Sequence, residues 1–196
     1  MVDDLDGLSV QQFTEELQAA GFELLAARYE AALIPVQVAW AATTCSPGEG
    51  GRRDVSYQLD DPDLVDNLNS MWAQMATEVG LFDHCGKFLL SVNSESSELL
   101  EPHWALVARI GDPDIAGIGS ASGIFGFRQG YIEFAAASLD GRAVIRGTLW
   151  QSSAGLLGLN DARSSVRLRE YATGLVERRV LTVAEQAQVW LGSGGA

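Results

Sequence analysis

Residues 128–150 read RQGYIEFAAASLDGRAVIRGTLW, and this stretch decides the fold class. Two β-rich runs, Arg128–Ser138 and Ala143–Trp150, flank the segment Ser138-Leu-Asp-Gly-Arg142. Asp-Gly between such runs marks a tight hairpin turn with positive φ angles. The runs are therefore expected to be antiparallel neighbours. In the first of them Tyr131, Glu133, Ala135 and Ala137 alternate with Ile132, Phe134 and Ala136, which predicts one face wetter than the other.

Upstream, Lys87–Asn93 and His103–Ile110 read as two further extended segments. Val36–Thr44 and Asp54–Leu59, joined by the glycine-rich residues 46–53, read as strand, mobile loop and strand, that is, a second hairpin. Between and around these lie helical patterns. Ser9-Val-Gln-Gln12 has the capping-box form, Val10, Phe13, Leu17 and Ala20 follow at helical spacing, and Gly21 is the stop. Phe22–Leu33 reads as a second helix ended by Pro35.

Asp60-Asp61-Pro62-Asp63 places acids and a proline at a helix start. The apolar steps from Leu64 through Leu68, Trp72 and Met75 to Val79 then carry that helix to Gly80. After the small-residue stretch 151–160, Asp161 is the expected cap of a helix to about Thr173, and Thr182-Val-Ala-Glu185 opens a last one to Leu191. This order lies outside strict βαβ alternation. It predicts an α+β fold: a mainly antiparallel sheet of about five to six strands packed against N-terminal, central and C-terminal helices. Residues 1–192 form a single domain in this reading, and 193–196 a frayed tail.

With 47% apolar and 20% charged residues, the chain is composed like a protein with a packed core. The N-terminal residues MVDDLDGLSVQQF are acidic where a secretory signal is basic, and no apolar run is long enough to span a bilayer, so a soluble, cytoplasmic protein is expected. The net charge is −13 and unevenly spread: residues 1–66 carry 13 acids and 3 bases, whereas residues 142–196 carry 4 acids and 7 bases. A field of this sign repels phosphate backbones and anionic headgroups, which excludes nucleic acid and membrane as expected partners.

Candidate chemistry is sparse. Gly117-Ile-Gly119-Ser-Ala-Ser122 has serine where a dinucleotide fingerprint needs its third glycine, and an extended segment follows where a helix should. Gly119-Ser-Ala-Ser-Gly123 has Ala121 at the position of an elbow nucleophile. Residues 111–126 therefore read as a flexible strand connection. Asp83-His84-Cys85 and the distant His103 are the remaining reactive types, but neighbours in an extended strand point to opposite faces. Both Cys45 and Cys85 read as buried apolar residues. Glu95, Glu98 and Glu101 read as exposed carboxylates on a connection.

No cofactor, metal site or catalytic residue is expected from these patterns. The leading expectation is a non-enzymatic acidic protein-interaction or assembly component, self-associating or bound to another protein. The acids Asp60, Asp61, Asp63 and Asp66 and the arginines Arg163, Arg167 and Arg169 are its contact residues. The competing expectation is a ligand-binding protein or enzyme with a pocket between sheet and helices. Trp104, Tyr131 and Trp150 would line that pocket beside His84, His103 and Glu133.

Overall fold

The computed structural model describes residues 5, 8–94, 101–179 and 183–192. Helix α1 spans Val10–Ala19, β1 Phe22–Ala26, α2 Val36–Trp40, β2 Arg53–Gln58, α3 Leu64–Val79, β3 Lys87–Ser94 and β4 Glu101–Arg109. They are followed by α4 Ile118–Ala121, β5 Gly126–Arg128, β6 Tyr131–Ile132, β7 Phe134–Ala137, β8 Val144–Leu149, β9 Ser153–Leu159, α5 Val166–Glu177 and α6 Ala184–Gly192. The fold is α+β. One antiparallel sheet runs in the order β1-β4-β3-β7-β8-β9-β2, and β5 and β6 make a separate two-stranded ribbon.

The β7–β8 hairpin forms as the Asp-Gly signal requires, with Ala137 opposite Val144. Gly141 takes φ +68° and its N–H donates to the Ser138 carbonyl at 2.9 Å. Asp140 keeps a negative φ, so only the glycine enters the left-handed region. The Ser138 hydroxyl accepts from the Ala143 amide at 2.9 Å and closes the loop.

Both faces of this sheet are covered, and all four residues of β7 are buried. The expected wetter face holds only at its start, where Tyr131 is half-buried and Glu133 exposed beside buried Ile132 and Phe134; along β7 itself both faces are buried. On one face, α1, α3 and residues 115–125 pack Phe13, Leu17, Leu68, Trp72, Ile115 and Phe125 against Phe88, Leu90, Val107, Phe134 and Ile145. Phe22 lies at the centre of the aromatic contacts there, 5.5 Å from Trp72, 5.6 Å from Phe88 and 5.2 Å from Phe125 between ring centroids. On the other face, α2, the 3-10 turn after it, α5 and α6 pack Val38, Ala42, Leu168, Ala172 and Trp190 against Leu89, Trp104, Ala137, Val144 and Leu157.

Three segments differ from expectation because long-range pairing outweighs local pattern. Residues 22–26 form an edge strand on β4 rather than a helix: Phe22 and Leu24 turn inward while Glu23 and Leu25 are exposed. Val36–Thr44 is not a strand but α2 and a following 3-10 turn; Pro35 precedes the first helical residue, and Val36, Val38, Ala39, Ala41 and Ala42 are buried against the sheet. The expected second hairpin therefore does not exist, and β2 pairs with β9 instead. Most of the small-residue stretch 151–160 is the strand β9. Its glycines permit close approach: a Cβ at Gly158 would lie 2.8 Å from the Met75 sulfur.

Caps follow sequence more closely. The Ser9–Gln12 capping box is present in both directions. At α3 the acid that binds is Asp61, which accepts from the Asp63 amide at 2.9 Å and the Asn67 side chain at 3.3 Å. Helix α5 is capped by Ser165 rather than Asp161. Thr182, the glutamates Glu95 and Glu98 and the expected tail 193–196 lie outside the described residues. Cys45 is buried as expected, whereas Cys85 is exposed.

The connection 111–126 is packed rather than open, with Ile115, Ala116, Ser120, Ile124 and Phe125 buried. Asp114 organises it, accepting from the Asn69 side chain at 2.7 Å, the Gly117 amide at 2.8 Å and the Ile118 amide at 2.9 Å. Partial burial raises the Asp114 carboxyl pKa, but these donors outweigh burial and hold it below its ordinary value. A depressed folded value stabilises the fold above the ordinary carboxyl range and loses that contribution as pH falls through it. Asp114→Asn is therefore expected to be less stable than wild type at neutral pH, with the difference shrinking in urea titrations at progressively lower pH.

Trp72 is fully buried, and its indole N–H has no hydrogen-bond partner among the described residues. Trp72→Ala is expected to cost about 3–5 kcal/mol in denaturant unfolding. Trp72→Phe should cost clearly less, since it keeps an aromatic ring there and removes the unpaired donor.

Candidate functional site

Both charged sets stand at the surface, and the sheet separates them. Asp60, Asp63 and Asp66 are exposed and Asp61 half-buried around the entry to α3, just beyond the Gln58 end of β2. Arg167 and Arg169 are exposed on the first turn of α5, and Arg163 is half-buried before it. This region is tied to the opposite end of β2: the Asp161 amide donates to the Gly50 carbonyl at 3.1 Å, and the Glu49 carboxylate accepts from the Arg167 amide at 2.8 Å.

Helix α3 belongs to one core and α5 to the other. The acids and arginines therefore lie on opposite faces of the sheet and at opposite ends of an edge strand roughly 20 Å long. Among the described residues the ion pairs are Arg52–Asp54, Arg53–Glu78 and Arg142–Asp161, none of which joins the two sets.

The arginine end is built on a fixed backbone. Glu49 accepts from the Arg167 amide, the Ser46 amide at 2.8 Å and the Ser165 hydroxyl at 3.1 Å, and the two amides in particular hold its carboxyl below the ordinary value. Arg163 reaches back to the Asp140 carbonyl at 2.6 Å. The guanidinium groups of Arg167 and Arg169 are thus presented from an anchored helix start.

The residues expected to line a ligand pocket are only partly brought together. A polar cleft of about 500 Å³ takes in His103 and Trp104 together with Arg28, Tyr29, Gln37 and Gln186. In it the His103 Nε2 stands 3.1 Å from the Ala27 carbonyl, and the Trp104 indole donates to the Ile34 carbonyl at 2.7 Å. Glu133 lies elsewhere, exposed between β6 and β7. Strand alternation sets His103 with Ala105 and Val107 on the α3 face and Glu133 with Ala135 and Ala137 on the α5 face, so the two do not converge. Tyr131 sits in the small ribbon under the Arg128 guanidinium, Trp150 is 63% exposed at the end of β8, and His84 is exposed on a turn.

One charged residue escaped the sequence reading. Arg146 is 5% exposed in the middle of the sheet, on the α5 face between Ala135 and Leu157. Its guanidinium lies 3.5 Å from the Trp40 ring centroid and donates to the Phe134 carbonyl at 2.8 Å, while its buried Nε finds no partner among the described residues. Burial pulls its pKa down to about 10, against the opposing pull of Glu133. The Trp40 indole in turn donates to the Ser91 hydroxyl at 2.8 Å. An arginine inside an apolar strand was the available signal, but its aromatic partner lay in a segment that read as a strand far away in the chain.

No family model matches the chain, and neither a curated protein nor a solved structure matches it. Any function must therefore be argued from its own geometry. A buried cation without a carboxylate in ion-pair contact costs stability unless its ring contact and hydrogen bond compensate. Arg146→Met is accordingly expected to unfold at equal or higher denaturant concentration than wild type, whereas Trp40→Ala, which strips the ring from the guanidinium, should lower stability by about 2 kcal/mol or more.

Proposed function

We propose that this protein is a non-enzymatic assembly component that docks through opposite charges, a second copy of the chain being its first partner. One observation carries the reading: the exposed acids Asp60, Asp63 and Asp66 stand beyond one end of β2, and the exposed Arg167 and Arg169 stand near its other end, on a helix of the opposite core. Exposed charge presented in this way is available to a neighbour, and complementary patches steer encounter and fix register. An acidic end meeting an arginine end is a head-to-tail contact, which grows into rings or open chains instead of stopping at a symmetric dimer. Arginine suits such a contact because its planar fork matches a carboxylate with two hydrogen bonds.

The cleft around His103 and Trp104 supports a second reading, a small-molecule site at the edge of the sheet. It would be favoured by a ligand that protects Tyr29 and His103 without changing the assembly state.

Sedimentation velocity at low and high salt tests the main proposal. The wild type is expected to form assemblies at low salt that dissociate as the Debye length shortens. Asp63→Asn with Asp66→Asn, and separately Arg167→Gln with Arg169→Gln, should each remain monomeric alone. Mixed together they retain one competent end apiece and should form dimers and nothing larger. A wild type that stays monomeric at low salt over the accessible concentration range overturns the proposal.

A further inference from the structure

Asp83, His84 and Cys85 lie in the connection between α3 and β3, and the fold sets them in a turn rather than a strand. The difference is chemical as well as geometric. Consecutive side chains diverge in a strand. Here one ligand-capable atom from each of the three lies within 4.8 Å of the others.

The turn is fixed by its own hydrogen bonds. The Gly86 amide donates to the Asp83 carbonyl and the Asp83 amide to the Lys87 carbonyl, each at 3.0 Å. The Asp83 Oδ1 accepts from the Cys85 and Lys87 amides, each at 2.8 Å. Such outer contacts orient a ligating carboxylate, and they leave Oδ2 as its coordinating atom. His84 and Cys85 are both exposed.

We infer that Asp83, His84 and Cys85 form a binding site for a borderline-soft divalent cation, zinc(II) foremost, with one oxygen, one nitrogen and one sulfur donor. Mixed N, S and O donors suit zinc, whereas calcium and magnesium take oxygen alone. Metal–ligand bonds of about 2.0–2.3 Å require donor atoms about 3.5 Å apart in a tetrahedral set. Rotation of the exposed His84 and Cys85 side chains closes the remaining gap. Three protein ligands leave a fourth position open to water. On binding, the Cys85 thiol gives its proton to solvent and coordinates as thiolate.

Titration of the reduced full-length protein with cobalt(II), followed by displacement with zinc(II), tests the site. The expected result is one equivalent of cobalt with a thiolate-to-metal charge-transfer band that Cys85→Ser abolishes. His84→Ala and Cys85→Ser should each weaken zinc binding by about tenfold or more in calorimetry. Circular dichroism should show both variants folded, since neither side chain is in a core. Absence of the charge-transfer band in wild type, or equal zinc affinity in wild type and both variants, overturns the inference. The site lies at the far end of α3 from the acidic set, so sedimentation of the metal-free protein reports on assembly independently.

Discussion

Burial of the central strands on both faces is the constraint on which the rest of the structure depends. An antiparallel sheet commonly keeps one face in water. Here β3, β7, β8 and β9 bear apolar side chains in both directions: Phe88 and Leu90 against Leu89, Phe134 and Ala136 against Ala135 and Ala137, Leu156 against Leu157 and Leu159. Neither set can be left exposed without a large cost, so helices must cover both sides. The three layers follow: α1 and α3 on one face, α2, α5 and α6 on the other.

That layering also creates the electrostatic arrangement. A sheet too thick for side chains to cross separates the entry to α3 from the start of α5, and with them the acids from the arginines. The same layering isolates Arg146, whose position on β8 points it into the second core. Trp40 answers that burial with its ring face, and the Phe134 carbonyl takes one guanidinium N–H. The short helix α2 is therefore more than a cover: it brings the indole that makes a buried cation tolerable.

Much of the framework was legible in local sequence. The turn at Asp140-Gly141, the cap at Ser9–Gln12 and the period of Leu64 to Val79 each depend on residues a few positions apart, and each formed. The segments that read wrongly depend on distant partners. Residues 22–26 have enough alanine and leucine to look helical, yet they complete the open edge of β4. Residues 153–159 look like a loop because of their glycines, which are there so that β2 and Met75 can approach. The same limit applied to the candidate sites: clusters close in sequence, such as Asp60–Asp66, could be named, whereas Arg146 with Trp40 and the shared cleft of His103 and Arg28 could not.

The amino-acid order by itself determined the α+β class, the hairpin, the long helix and the imbalance of charge between the two ends of the chain. These follow from backbone preferences and side-chain periodicities that act over a few residues. Only the tertiary structure decided which strands take the two edges, that both faces are dry, and that the opposite charges are held apart. Those outcomes depend on pairing and burial between residues remote in sequence, where the free energy of covering apolar surface exceeds any local preference.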